Sequence, residues 1–259
     1  MSTVSDKFVP ILNLERFIKN MNQESLLKLK NSFTNHPGFK HPFWDWFENG
    51  RFSDDQLRAF ARLYYQHVRI FRQYIAGGIL VSKEELTQKI LTEILSDEYG
   101  IPDVDINGNE RISHPEMYRR FLKSIGLSYT NFENEDPILG ISYFKSVHFS
   151  LFTAGLEEES LGAIIFGCEG STPYRHARVI AGLSKYEKNT SKTIDKTFFS
   201  SHIDIDQHHF SKLVDVVGNI LRDPTRLDRF INGINISFDA RKVFLDDLCI
   251  KIGLNDILQ

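Results

Sequence analysis

Apolar residues recur three and four positions apart along most of the chain, and stretches that alternate apolar with polar residues are scarce. That period predicts helices over roughly residues 12–34, 41–49, 54–81, 83–98, 114–125, 136–151, 155–186, 191–221 and 238–252. Punctuation along the chain agrees. Ser53 with Gln56, Ser82 with Glu85 and Ser113 with Glu116 have the spacing of capping boxes, in which two orphan N–H groups are satisfied reciprocally. Pro115 suits a first helical turn, where a missing N–H costs nothing. Gly100 and Gly126 follow periodic segments and read as helix stops. No repeat, low-complexity tract or Pro-rich linker interrupts the series. The pattern predicts one all-α bundle of about seven core helices over residues 36–259, with residues 1–35 as an N-terminal helical extension.

Composition narrows the functional classes. With 259 residues, 41% of them hydrophobic, the chain can bury a substantial core without covalent staples. A net charge of −3 offers no electrostatic case for nucleic acid or an anionic membrane. The two cysteines, Cys168 and Cys249, form neither a disulfide framework nor a thiolate zinc pattern. Met1 to Lys19 show no basic start followed by an apolar run, and the longest apolar stretch, Leu161 to Cys168, is far below a membrane span. The expectation is a soluble cytoplasmic protein. Asp103, Asp105, Asn107 and Gly108 open like a calcium loop, but Glu110 and His114 stand where an apolar residue and a bidentate Glu are required. This segment reads as a solvated polar loop.

Chemistry concentrates in SSHIDIDQHHF. His202, Asp206 and His209 are spaced H-x-x-x-D-x-x-H, and at about 100° per residue they fall within about 60° of one another on a helix. A polar surface stripe would show the same spacing. Here Phe198, Phe199, Phe210, Leu213 and Val214 surround the trio, and a carboxylate with two imidazoles is costly to bury there unless they coordinate something. Mixed nitrogen and oxygen donors suit divalent iron, manganese or zinc.

Glu169 is the best further ligand, because it ends the apolar run LGAIIFGCE. Pro173 lacks the N–H that would bond the Glu169 carbonyl, so a kink is expected there, with room for a small molecule. Glu98 and His114 flank the polar loop and can bring a carboxylate and an imidazole to a shared site. Glu157, Glu158 and Glu159 read as a solvated helix start.

The segments DEYG…SHPEMYRRFLKSIGL, LGAIIFGCEGSTP and FFSSHIDIDQHHF resemble, in order, three signature segments of the heme-oxygenase-like diiron oxidases and oxygenases. HPFWDWFENGRFSDDQLRAFARLYYQHVRIF is similar to that family's early helices, so the resemblance spans roughly residues 36 to 220. It implies a heme-oxygenase-like bundle, a homodimer, two non-heme irons (manganese being the alternative metal) and O2 as co-substrate. The implied ligands are Glu98, His114, Glu169, His202, Asp206 and His209. The implied reaction is oxidation of a small amino-acid-, amine- or fatty-acid-like substrate through a peroxo-bridged diferric species.

One departure stands out. IPDVDINGNERI lengthens the interval between Glu98 and His114, and Asp97, or Asp105 and Glu110 within the insertion, compete with Glu98. His208 faces away from His202; His67 and His148 read as core or pocket-lining, and His36, His41 and His176 join no constellation. Tyr64, Tyr65, Tyr174 and Arg178 are pocket candidates that a plain core stripe would explain equally well. Two rival readings share the scaffold. One is a metal-independent enzyme like the cofactor-independent quinone-forming oxidases or thiamin-pyrimidine hydrolases. The other is a non-catalytic interaction protein.

Overall fold

The computed structural model describes residues 23–104, 108, 110–131, 138–218, 220 and 222–258. Residues 12–22 and 136–137 of the expected helices, Asp105 and Asn107 of the polar loop, and the Val214 side chain lie outside the described residues. Among the described residues the structure is helical apart from one isolated antiparallel bridge, Val104 with Glu110. The helices are α1 (Gln23–Thr34), α2 (Pro42–Glu48), α3 (Asp54–Val68), α4 (Phe71–Val81), α5 (Glu85–Tyr99), α6 (His114–Ser124), α7 (Leu139–Ala154), α8 (Glu157–Gly162), α9 (Thr172–Thr190), α10 (Thr197–Val216) and α11 (Pro224–Lys251). The all-α expectation holds, and Leu29 and Phe33 of α1 are buried in the core.

Local signals explain some boundaries and fail at others. Ser53 and Gln56 form the complete capping box at α3. Ser82 instead ends α4, its hydroxyl donating to the Gly78 carbonyl at 2.7 Å, and α5 starts after Glu84. Ser113 is the N-cap of α6 without a side-chain cap bond. The expected helix over 54–81 breaks at Arg69–Ile70, where Ile70 has φ −110° and ψ −2°. Helix α11 starts at Pro224, far ahead of the expected residue 238, with Asp223 accepting from the N–H groups of Thr225 and Arg226. The run Asn232–Gly233–Ile234–Asn235 has weak helix propensity, which hid this start. Packing overrides it: a Cβ on Gly233 would come within 2.0 Å of the Glu159 carbonyl, so glycine lets α11 cross α8 backbone to backbone.

Two apolar clusters form the core. One joins α1, α4, α5 and the first half of α11, with Phe33, Ile94, Phe210 and Phe238 fully or almost fully buried. The other joins α2, α3, α6, α9 and the second half of α11, around Trp44, Tyr118, Phe198 and Leu248. Helix α10 runs through both. Phe198 and Phe199 anchor it in the second cluster, and Phe210 and Leu213 anchor it in the first. The polar trio lies between these anchors, at the seam.

Candidate metal centre

The trio on α10 is buried: His202 is 6%, Asp206 4% and His209 1% exposed. His208, one residue from His209, is exposed, as the helical register requires. Facing the trio are Glu98 in the last turn of α5, His114 at the first residue of α6, and Glu169, each buried. Their donor atoms gather into two groups, Glu98–His114–His202 and Glu169–Asp206–His209, each with its atoms within 4.8 Å of one another. The six residues marked by the sequence thus come together.

The insertion between Glu98 and His114 does not hold them apart, because the loop closes on itself. Val104 pairs with Glu110, and the Arg111 N–H donates to the Asp103 carbonyl at 2.8 Å. Gly100 ends α5 at φ 71°, and a Cβ there would come within 2.9 Å of the Ile112 carbonyl carbon. Glycine is therefore needed both for the left-handed turn and for the contact that sets the end of α5 against the start of α6. Glu98 Oε1 then lies 2.8 Å from His114 Nδ1, without the angle of a hydrogen bond. Asp97, the competing carboxylate, turns elsewhere. It ion-pairs with Arg111 and accepts from His209 Nε2 at 3.0 Å.

Glu169 is delivered by a distorted helix. After α8 the backbone widens into a π segment, Ala163–Cys168, then tightens into a 3₁₀ turn, Glu169–Ser171, before α9 begins. The expected kink at Pro173 is the end of this longer irregularity, which begins ten residues earlier. Such π segments re-aim side chains at functional sites. Its glycines permit the approach of α11: a Cβ on Gly167 would come within 2.3 Å of Ser237 Oγ. Buried Arg241 donates to the Gly167 carbonyl at 2.6 Å.

The donors fit divalent metal. Buried His114 Nδ1, His209 Nδ1 and both Glu169 oxygens make no well-formed hydrogen bond, although His209 Nδ1 stands 3.4 Å from Glu169 Oε2, and a cation would resolve this costly arrangement. The rings are pre-oriented. His202 Nδ1–H donates to the Phe198 carbonyl and His209 Nε2–H to Asp97, leaving one lone-pair nitrogen of each for the interior. Electrostatics are frustrated without a cation. Burial and then Glu169 push the Asp206 carboxyl well above the usual range. Burial opposes charge on His209, yet Asp97 and Glu169 push it up to about 10. Burial, with His114 and His176 beside it, holds His202 well below the usual imidazole range.

Residues 58–242 match a family described as iron-containing redox enzymes. The chain belongs to that family. It is 23% identical over 210 residues to a 4-aminobenzoate synthase of Chlamydia muridarum, covering 80% of this chain and 83% of the relative. A 4-aminobenzoate synthase of Chlamydia trachomatis is 22% identical over 188 residues, 71% of this chain and 75% of the relative. In fold, the chain is similar to a TenA homologue from Pseudomonas syringae (TM-score 0.69, 13% identity, 88% of this chain and 93% of that one). It is likewise similar to a heme-oxygenase-like domain from Shewanella denitrificans (TM-score 0.64, 14% identity, 90% and 92%).

Within this family member, a narrow pocket of about 40 Å³ opens beside the first group. Glu98, His114, His202 and Asp206 line it together with Tyr64, His67, Val68, Phe71 and Phe198. Val68 and Phe71, on either side of the break at Arg69–Ile70, both line it. Cys168 and Thr172 line the cavity, and Glu169 does not. Arg175 and His176 also line it; the sequence pattern left His176 outside any constellation and gave Arg175 no site role, because neither belongs to a recognisable spacing. His176 Nε2 lies 3.4 Å from the Tyr64 hydroxyl. Burial pushes the Cys168 thiol up to about 12, leaving it a poor nucleophile.

Several other candidates have structural partners. Tyr65 stacks on Tyr118, Tyr174 stacks on Phe39 beneath Arg178, and Arg178 pairs with Asp45 and Glu48. His148 bonds the Phe144 carbonyl and Ser237, and His41 caps α2. Glu157 and Glu158 begin α8 as expected, but they are buried because Arg226 and the Lys83 N–H reach them from α11 and the α4–α5 turn. Among the described residues no helix is long and apolar enough to cross a membrane.

Proposed function

We propose that this chain is a non-heme diiron, O2-dependent oxidase or oxygenase acting on a small organic substrate. The observation that carries the reading is the pair of buried three-residue donor groups, the first of which lines a pocket. Glu98, His114 and His202 would hold one iron, and Glu169, Asp206 and His209 the other. Bound iron supplies the electrons and Lewis acidity for O2-dependent oxidation. Three carboxylates against two divalent cations leave the centre near neutrality, so an anionic group is tolerated beside it.

The protein's own part is positional. Phe198 and Asp97 hold the ligand rings by their outer nitrogens. Phe71, Val68 and Phe198 present an apolar wall that keeps bulk water from the reacting substrate. The name of the chlamydial relatives supports a small organic substrate, 4-aminobenzoate being a small aromatic amino acid. Anaerobic titration with Fe(II) tests the assignment. Two ions should bind per chain, and admission of O2 should then consume it. One tight ion with no second site, or iron-loaded protein inert to O2 across amino acids, amines and fatty acids, would reject the diiron oxidase.

A further inference from the structure

Arg175 projects from the first turn of α9 into the cavity wall and is only 2% exposed. Its Nη2 donates to Thr172 Oγ1 at 2.8 Å, while Nε and Nη1 have no hydrogen-bond partner, and among the described residues no carboxylate pairs with it. The buried arginines Arg178 and Arg241 are answered more fully from the protein, although Arg241 Nε also lacks a hydrogen-bond partner. Arg178 pairs with Asp45 and Glu48, and Arg241 donates to the Gly167 carbonyl and lies against the Phe144 and Phe238 rings. Neither lines the cavity. A guanidinium cannot shed its proton, and burying its charge without a counter-ion is strongly unfavourable. The three buried carboxylates of the donor groups do not supply that counter-ion. Their nearest link to Arg175 is indirect, through Thr172, whose hydroxyl also acts on the Asp206 carboxyl.

We propose that Arg175 anchors the carboxylate of the substrate, so that the cavity selects small organic acids over amines and amides. This rests on the reading of the cavity as the substrate site of an iron enzyme. The unfilled N–H groups provide charge-assisted donors for a carboxylate, the interaction a guanidinium makes best. A cationic amine would meet like charge in a site stripped of water, and a primary amide would leave the charge unanswered. Phe71, Phe198 and Tyr64 line the same pocket as Arg175 and as Glu98, His114 and His202, and suit an apolar or aromatic body. Among the amino-acid-, amine- and fatty-acid-like substrates the family resemblance allows, the simple amines are excluded.

Calorimetric titration tests this with benzoate and hexanoate, each against its primary amide and the corresponding amine. It is run on anaerobic Fe(II)-loaded protein and on chelator-treated protein. At least one acid should bind the wild type about tenfold or more tightly than its amide and amine, the scale of a charge-assisted pair. Arg175→Gln should remove that preference while iron content and helical circular dichroism stay unchanged. Arg175→Lys should keep its sign with several-fold weaker acid binding, because a point charge replaces the planar donor array. A wild type without acid preference, or an Arg175→Gln protein that keeps it, overturns the proposal. Should the Gln variant not fold, the Lys variant decides: acid affinity falling alone supports the anchor, whereas acid and amide falling together, or neither falling, overturns it. If the wild type takes up no iron, the diiron reading fails, and the chelated arm still decides on Arg175.

Discussion

The two donor groups use the same residue types but sit differently in the molecule. Glu98, His114 and His202 all line the cavity, whereas of Glu169, Asp206 and His209 only Asp206 does. The enclosed group is set by backbone distortion and by a brace. The π segment delivers Glu169, and the chain Arg111–Asp97–His209 fixes the imidazole. The cavity-facing group is set by the meeting of two helix ends, α5 and α6, with one residue of α10. A centre that admits a substrate needs one open face, and a rigid, closed side limits rearrangement of the other ligands. The two ions proposed here should therefore differ in exchange and in response to mutation.

The largest expected effect comes from removing ligands. His202→Ala and His209→Ala should each lower O2-dependent turnover by more than about a hundredfold, since losing even an outer partner of a ligand costs about 10- to 100-fold. Iron analysis separates them: His202→Ala should retain an ion in the enclosed group. Loss of both ions in both variants would show that the groups do not act as separate sites. Next in size is the brace. Asp97→Ala leaves His209 Nε2 without its acceptor, and competitive chelation should show about 10- to 100-fold weaker iron binding at the enclosed group alone.

Smaller again is linkage to folding. Iron at a hundred times its dissociation constant should stabilise the protein by about 2.7 kcal/mol. Differential scanning calorimetry with and without chelator should show that increment in the wild type and its reduction in Asp206→Ala. Smallest of all is His208→Ala. The residue is exposed, so stability should change by no more than about 0.5 kcal/mol with both irons retained. An iron-depleted His208→Ala protein would break the assignment of faces on α10.

The lesson from particular elements is that periodic chemistry is readable locally and irregular backbone is not. The stripe His202–Asp206–His209 follows from helical rotation alone, and its apolar flanks carry the metal reading. The π segment was invisible, because a sequence pattern tuned to 3.6 residues per turn has no signature for a locally wider helix. Only its consequence, a break near Pro173, could be anticipated.

By itself, then, the sequence determined the all-α class and the register of α10, because each rests on spacing or on the cost of burying a polar group; the full set of six donors was what the family resemblance implied. Tertiary structure alone decided between Glu98 and Asp97. The two differ by one position, or about 100° on α5, and which one enters the site depends on where Arg111 and His209 stand. It likewise decided that α11 begins at Pro224, since the value of Gly233 lies in a crossing with α8 that no local propensity records. Arg175 entered the cavity by the same route. A buried, unanswered charge is a relation among distant helices, and spacing along one chain does not encode it.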